Sequence, residues 1–295
     1  MDEVKMKKFF KKLKYKWKLI TGVVTTVLMV GGASAYWVAE VKGFEVNITK
    51  FDSPLGRSIF IGDTGEVSEE RDNLIQNIKQ SGKPENIFIL GDLGYPSGVR
   101  NQKEFDKWLK HYLSLAQSVH CILGNHDSYS KNKEERAWLA LNADKNGCIF
   151  KNYYRGLVYQ DWCLGIIDSA IYDTLKDHDM QERQEAFVKK FFASEYCQNK
   201  KTALLNHHTV YTYGSHMRDG NQDHNNFVKS LNVDYVISGH DHLLAFTRVG
   251  KTAYIVSGSG AKLDECKKRE GENCWEKNGY FDYENGVFKR VELSE

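Results

Sequence analysis

The chain has 295 residues, of which 41% are hydrophobic and 27% are charged, with a formal net charge of +2. These fractions argue against a disordered chain, and the length suits one large domain or two small ones. Residues 1–39 hold eight lysines and two acidic residues, a net charge of +6, so the rest of the chain carries −4. That negative balance gives no indication of a basic nucleic-acid-binding face on the main domain, and no nucleic-acid partner is expected.

The N-terminal region has the pattern of a membrane-targeting segment. Residues 1–18 are basic, and 19–39 then run for 21 residues without a charge, which is enough for a bilayer-spanning helix. A positive flank stays in the cytoplasm, so we predict a cytoplasmic tail over 1–18 and a transmembrane signal anchor over 19–39. The alternative is a signal peptide cleaved near Ala35, which would make the protein secreted.

Either alternative places the main domain on the non-cytoplasmic side of a membrane, in the periplasm, at the cell surface or in a lumen. Residues 40–57 are predicted to be a tether, and residues 58–295 to be one folded domain.

Short apolar runs alternate with amphipathic segments after residue 57, a pattern that predicts βαβ units and a largely parallel sheet. The predicted strands of this part are 58–61, 86–90, 119–123, 149–155, 157–168, 202–205 and 234–238. The predicted helices are 69–80, 102–117, 134–142, 180–196 and one that ends over 227–231. Antiparallel strands are expected near the C-terminus, at 245–248, 252–257, 279–283 and 287–293.

The six cysteines include no CxxC pair, which disfavours a zinc knuckle or a thioredoxin-type motif. Cys121 and Cys163 lie in apolar runs and are predicted to be buried small hydrophobes. Cys266 and Cys274 flank a polar loop, where they would form a disulfide in an exported domain or remain free thiols.

Metal-type side chains follow five of the predicted strands. The five blocks are Gly62-Asp63-Thr64-Gly65, Gly91-Asp92-Leu93-Gly94-Tyr95, Gly124-Asn125-His126-Asp127, Asn206-His207-His208 and Gly239-His240-Asp241-His242. Each block alone is an ordinary turn. Because the carboxyl ends of parallel strands meet at one edge of a sheet, the five together predict a metal site.

This ordered set resembles the calcineurin-like metallophosphoesterase superfamily, and within it the small, tartrate-resistant type of purple acid phosphatase. That branch is characterised by GDxG, GDxxY, GNH[DE], a lone histidine and GHxH, and residues 58–260 carry all five in order. Gly65 in the first block and Tyr95 in the second distinguish this branch from the commoner pattern. The resemblance implies an α/β fold, a two-sheet β-sandwich flanked by helices, with residues 58–295 as the catalytic domain.

The resemblance also implies two metal ions, a ferric ion and a divalent ion of iron, zinc or manganese. By position, the ligands of metal one are Asp63, Asp92, Tyr95 and His242. The ligands of metal two are Asp92, Asn125, His207 and His240. His208 neighbours a ligand, and an exchange of roles between His207 and His208 stays open.

In the family, a hydroxide on the first metal attacks the phosphorus atom. His126 is expected to protonate the leaving group or to stabilise charge in the transition state. Asp127 is expected to orient His126, and His216 to bind substrate together with Asn125 and His126. The other four histidines are predicted to be surface or packing residues: His111, His120, His178 and His224.

We therefore expect an acid-phosphatase-like hydrolase of phosphate monoesters, acting on a phosphorylated small molecule or a phosphoprotein. A phosphodiesterase or nucleotide pyrophosphatase of the same superfamily is the alternative. A catalytically inactive, membrane-anchored binding protein is a third possibility, and loss of a ligand or of His126 would be its signature.

Overall fold

The computed structural model of this chain describes residues 46–128, 133–211, 213–216, 221–267 and 273–293. The predicted tail and signal anchor, residues 1–39, lie outside these ranges. Within them, no helix has the length and apolar character needed to cross a membrane.

Six α-helices lie in the described part of the chain: α1 (Glu69–Gln80), α2 (Gln102–Trp108), α3 (Lys110–Leu113), α4 (Lys133–Asn142), α5 (His178–Phe192) and α6 (Gln222–Ser230). Polar side chains at the N-cap positions begin four of them by accepting backbone N–H bonds that the first turn leaves unpaired. These caps are Ser68, Asn101, Asp177 and Asn221.

The strands form two sheets. In chain order they are β1 (Ile48–Lys50), β2 (Ser58–Ile61), β3 (Asn86–Leu90), β4 (Ser118–Ile122), β5 (Cys148–Ile149), β6 (Arg155–Val158), β7 (Trp162–Ile166), β8 (Lys201–Leu205), β9 (Tyr235–Ser238), β10 (Leu244–Val249), β11 (Thr252–Ser257), β12 (Cys274–Trp275), β13 (Gly279–Glu284) and β14 (Val287–Glu292). One sheet has the order β14-β13-β2-β3-β4-β5, and the other β1-β6-β7-β8-β9-β11-β10-β12.

The centre of each sheet is parallel, as the alternation of strands and helices predicts. Strands β2, β3, β4 and β5 run parallel in the first sheet, and β7, β8, β9 and β11 in the second. Buried parallel strands are covered on both faces, which explains their continuous apolar runs. The C-terminal strands pair antiparallel, also as predicted.

Three predicted elements are divided in the structure. Of the predicted strand over 149–155, only Ile149, in β5, and Arg155, in β6, lie in strands. The predicted helix over 102–117 is two helices, because the Tyr112 amide bonds the Leu109 carbonyl three residues back, at 2.9 Å, and tightens the chain there. The predicted strand over 157–168 contains a turn at Gln160 and Asp161, after which β7 pairs antiparallel with β6. The Asp161 carboxylate accepts the Leu55 amide proton at 2.8 Å and fixes this turn.

Alternate side chains of the central strands enter two separate cores, because successive residues of a strand face opposite sides. In β2, Phe60 packs between the two sheets with Phe88 and Trp162, whereas Ile59 and Ile61 pack beneath the helices. Within the inter-sheet core, the Trp162 indole N–H donates to the Tyr283 hydroxyl at 2.8 Å. The architecture is thus a two-sheet sandwich flanked by helices.

The six cysteines form three disulfides: Cys121–Cys148, Cys163–Cys197 and Cys266–Cys274. The last pair confirms one of the two alternatives. The prediction that Cys121 and Cys163 are only buried small hydrophobes is wrong. Both are buried, but the fold brings partners 27 and 34 residues away to Cα separations of 5.9 and 5.5 Å, within the range that a disulfide spans.

His120 lies in β4 with its ring stacked on Phe88, at 4.7 Å between centroids. The side chain is fully buried, and neither ring nitrogen has a hydrogen-bond partner. Burial, assisted by the charge of Arg155, lowers the pKa of His120 to about 3. His120 is therefore a neutral packing residue, and its protonation is incompatible with the folded core.

We expect His120→Phe to reduce the loss of stability in acid. His120 titrates near pH 6.5 in the unfolded chain. Its contribution to the free energy of unfolding is therefore complete above that pH and is lost as the pH falls toward about 3. One proton taken up by the unfolded state lowers the free energy of unfolding by about 1.4 kcal/mol per pH unit. Denaturant unfolding with a chelator present, from about pH 7 to pH 4, measures this slope.

The same substitution at the exposed His111, in α3, is the matched control and should leave the slope unchanged. Equal slopes in the wild type and in His120→Phe would contradict the expectation.

Candidate metal centre

The loops that follow β2, β3, β4, β8 and β9 meet at one edge of the sandwich, and they bring all seven predicted ligands together. The ligands are Asp63, Asp92, Tyr95, Asn125, His207, His240 and His242, and they form two groups of converging donor atoms.

Hydrogen bonds from backbone amides join the two sheets at this edge. The His240 amide donates to Asp63 Oδ2 at 2.8 Å, and the Gly62 amide donates to the Ser257 carbonyl at 2.6 Å. Asp63, Asp92 and His240 adopt left-handed backbone conformations, with φ of 60°, 53° and 70°. Such conformations are unfavourable for residues other than glycine and cluster at functional sites.

Glycines before the ligands allow the loops to approach closely. A Cβ atom on Gly124 would lie 2.1 Å from Asp92 Oδ1, and one on Gly239 would lie 2.7 Å from Asp63 Oδ2. Both distances are shorter than a non-bonded contact permits. Gly124 and Gly239 are therefore required for the carboxylates of Asp92 and Asp63 to occupy their places.

The first group consists of Asp63, Tyr95 and His242. The Tyr95 hydroxyl donates to Asp63 Oδ1 at 3.0 Å and lies 3.3 Å from His242 Nε2. His242 Nε2 is 3.6 Å from the same Asp63 oxygen. Three donor atoms from three different loops thus face one point.

The second group is arranged around His207. Its Nε2 atom lies 2.9 Å from Asn125 Oδ1, 3.5 Å from Asp92 Oδ1 and 3.2 Å from His240 Nδ1. His207 Nδ1 donates to the Leu90 carbonyl at 2.8 Å. Because a carbonyl only accepts, this bond leaves the Nε2 lone pair of a neutral His207 directed at the group, the arrangement found in metal-ligating histidines.

The electrostatics of the first group favour a bound cation. Burial raises the pKa of Asp63, but hydrogen bonding to His242 and the charges of His207 and His242 outweigh burial and lower it. Burial and the charges of Asp63 and Asp92 raise the pKa of Tyr95. Burial lowers the pKa of His242, but bonds to Asp264 and Asp63 raise it to about 10. The carboxylates therefore attract positive charge to His242 Nε2, where a proton and a metal ion compete.

The donor set fits two metal ions. Ligand atoms of Asp63, Asp92 and His207 all lie within 4.8 Å of one another, and the three residues are buried. The buried His240 is kept neutral, as a ligand must be, because burial and the neighbouring His208 lower its pKa. Carboxylate, phenol, amide and imidazole atoms are common ligands of first-row metals. Asp92 lies between the groups and is the one carboxylate that both could share.

His126 is at the exposed side of the second group. Its Nδ1 donates to the Pro96 carbonyl at 2.7 Å, and its Nε2 lies 3.9 Å from Asp92 Oδ2. Asp127 accepts the amide protons of Leu93 and Gly124 at 3.0 and 2.8 Å. Asp127 thus fixes the loop that carries His126, while Pro96 fixes the ring itself.

His216 faces the metal ligands from a different loop. Its ring centroid lies 4.1 Å from that of His240 and 6.1 Å from that of His242. Asp241 accepts the His216 amide proton at 3.1 Å and the Gly214 amide proton at 3.3 Å. Asp241, the residue between the two GHxH histidines, therefore holds the loop that carries His216.

The sequence leaves the roles of His207 and His208 open and gives no direct indication of Asp264. The structure directs His207 at the donor group, whereas His208 Nδ1 lies 2.7 Å from Ser169 Oγ. Asp264 Oδ2 lies 3.5 Å from His242 Nδ1. No motif marks Asp264, because it follows β11 in a polar stretch; only its position shortly after an apolar strand could have indicated it.

The sequence matches the family model described as calcineurin-like phosphoesterase over residues 56–244. No curated protein sequence shows a match.

Several solved structures share the fold. GAP50, the anchor in the inner membrane complex of Plasmodium, superposes with a TM-score of 0.64 and 15% identity, over 81% of this chain and 85% of that chain. A purple acid phosphatase from yellow lupin seeds has a TM-score of 0.61 and 15% identity, over 83% of this chain and 52% of its own. A Thermus thermophilus protein has a TM-score of 0.55 and 10% identity, over 81% of this chain and 100% of its own.

This chain therefore spans about half the length of the lupin phosphatase. At these identities, the likeness to the three structures establishes the fold alone.

Proposed function

Because this chain belongs to the calcineurin-like phosphoesterase family, we propose that it hydrolyses phosphate monoesters with two bound metal ions. The observation that carries the proposal is the convergence of two groups of donor atoms around Asp92, with His126 and His216 beside them. Phosphorylated small molecules or phosphoproteins are the proposed substrates.

The ligands divide between the ions as the geometry groups them. Asp63, Tyr95 and His242 would hold one ion, Asn125, His207 and His240 the other, and Asp92 would be shared. When bound, two such ions lower the pKa of a water molecule and neutralise charge on the phosphoryl group.

His126 is proposed to protonate the oxygen of the leaving group. Pro96 accepts the Nδ1 proton, which directs Nε2 toward the reacting side. The side chain is 29% exposed, so it can take a proton from solvent between turnovers. A positioned general acid of this kind typically contributes about 10²–10⁴-fold to the rate.

Asn125 and His216 are proposed to bind phosphate oxygens. The Asn125 carboxamide, with its oxygen directed at His207, can present its NH₂ group to an anion. His216 is fixed through its amide by Asp241, so its ring is held in place before a substrate arrives. Holding the phosphate from two loops orients the phosphorus atom for in-line attack.

We propose that the catalytic domain functions outside the cytoplasm, anchored by residues 19–39 or released by cleavage near Ala35. Three disulfides support this location, because disulfides persist mainly in oxidising compartments.

A binding role without catalysis is the second candidate. The fold shared with GAP50, described as an anchor in Plasmodium, favours it. The complete set of ligands, with His126 and His216 both in place, favours the enzyme.

The first test is hydrolysis by the purified full chain of a chromogenic phosphate monoester and of the matching diester. We expect turnover of the monoester, and its loss in Asn125→Ala, which removes a ligand of one ion. Asn73→Ala, on the exposed face of α1, is the matched control and should remain active. Preference for the diester would favour the alternative activity, and no turnover of either would favour a binding role.

His126→Ala should lower kcat by about 10²–10⁴-fold and leave two metal ions bound. Because His126 is proposed to protonate the leaving group, the loss should be larger for an alkyl phosphate than for a nitrophenyl phosphate, whose leaving group needs no proton. Steady-state kinetics on both esters, with metal analysis of each protein, measure this difference. An equal loss on both substrates would contradict the assigned role.

We propose a ferric ion at the group that contains Tyr95 and a divalent ion of iron, zinc or manganese at the other, because phenolate and carboxylate are hard, anionic ligands. The protein should then absorb visible light through charge transfer from phenolate to iron, and Tyr95→Phe should abolish the band. Tyr196→Phe, in the turn Glu195–Cys197, is the control. A colourless, active wild-type protein would exclude this pair of ions.

A further inference from the structure

Residues 261–267, which we name the β11 strap, leave the end of β11 and pass beside the first group of ligands. Both ends of the strap are fixed: the Ala261 carbonyl accepts the Ser68 hydroxyl proton at 2.9 Å, and Cys266 is disulfide-bonded to Cys274. In its middle, the Asp264 amide donates to the His242 carbonyl at 2.8 Å. The strap is therefore held against the GHxH loop by covalent and backbone bonds.

Two side chains of the strap contact the side chains of the first group. Lys262 Nζ lies 3.6 Å from the centroid of the Tyr95 ring. Asp264 Oδ2 lies 3.5 Å from His242 Nδ1. His242 is thus placed between Asp264 on one side and the donor atoms of Asp63 and Tyr95 on the other, which face its Nε2 atom.

We infer that Asp264 is a positioning residue of the metal centre, which holds His242 in the tautomer and orientation needed to ligate the first ion. An ionised carboxylate only accepts hydrogen bonds, so Asp264 places the ring proton of His242 on Nδ1. The lone pair of Nε2 then faces Asp63 and Tyr95. A carboxylate on the outer nitrogen of a ligating histidine raises its basicity and fixes its orientation. This inference rests on the proposed function.

Ser215 extends the same interaction to the substrate side of the site. The Ser215 hydroxyl donates to Asp264 Oδ2 at 2.6 Å, and the strap amide of Lys267 donates to the Tyr213 carbonyl at 2.7 Å. One carboxylate oxygen therefore contacts both the loop that carries His216 and the ligand His242. Asp264 therefore connects the ligation of the first ion by His242 with the position of His216.

The contact between His242 and Asp264 is sufficiently shielded from solvent to affect the affinity of His242 for a metal ion. The His242 side chain is 16% exposed and that of Asp264 is 24% exposed, so the contact is partly protected from screening by water and salt. Asp264 is also accessible enough to be substituted without opening the core. Its neighbour Glu265 is exposed and belongs to the same strap, which provides a matched control.

The test is titration of the metal-free full chain with Zn(II) by calorimetry. In Asp264→Ala, we expect one of the two zinc equivalents to bind about 10–100-fold more weakly and the other to bind as in the wild type. Asp264→Asn keeps an oxygen that can accept the His242 Nδ1 proton, so it should restore part of the loss. Glu265→Ala should bind both equivalents as the wild type does.

Ser215→Ala provides a second variant on an exposed residue, and removal of its hydroxyl should weaken the same equivalent by a smaller factor. Asp264→Ala with wild-type zinc affinities would overturn the inference, as would Asp264→Asn no better than Asp264→Ala. A wild-type chain that binds zinc but hydrolyses no ester would refute the proposed function alone. A wild-type chain that binds no zinc would overturn the inference. If that chain also hydrolyses no ester when supplied with iron or manganese, the proposed function is refuted with it.

Discussion

The bond from the His240 amide to Asp63 is the interaction on which the site depends. It joins a ligand loop of one sheet to a ligand carboxylate of the other, at 2.8 Å, and both residues adopt left-handed backbone conformations to make it. Packing between the sheets brings their edges together, but it does not determine where individual loops meet. This bond does so, and the two groups of donor atoms form on either side of it.

The assembled site is electrostatically unfavourable without a cation. The buried Asp63 carboxylate and the Tyr95 phenol lie 3.0 Å apart, and burial disfavours the charged form of both. Of the neighbouring imidazoles, His208 and His240 are kept neutral because burial lowers the pKa of both, so these two supply no positive charge. Bound cations relieve this cost, so metal binding and the stability of this edge are thermodynamically linked.

The sequence predicted which side chains converge at this edge, because each follows a strand whose apolar run is easy to recognise. The parallel strands and the C-terminal antiparallel strands were predicted for the same reason. The pairing of Cys121 with Cys148, and Asp264 at the metal centre, could not be predicted. Both depend on where segments that are distant in the sequence meet, and none of these three residues belongs to a motif. The division of the helix over 102–117 depends on one local bond at Leu109, to which hydrophobic periodicity is insensitive.

The separation of scaffold from ligands has an evolutionary consequence. The strands form the packed core, while every ligand lies in a loop beyond a strand end, so replacing a ligand leaves the packing of both sheets intact. Replacement of a buried carboxylate by a neutral residue also removes like-charge repulsion at this edge. Selection for stability alone would therefore erode the ligands before the scaffold. A lineage released from catalysis would retain this fold and could adopt a new role on the same sandwich.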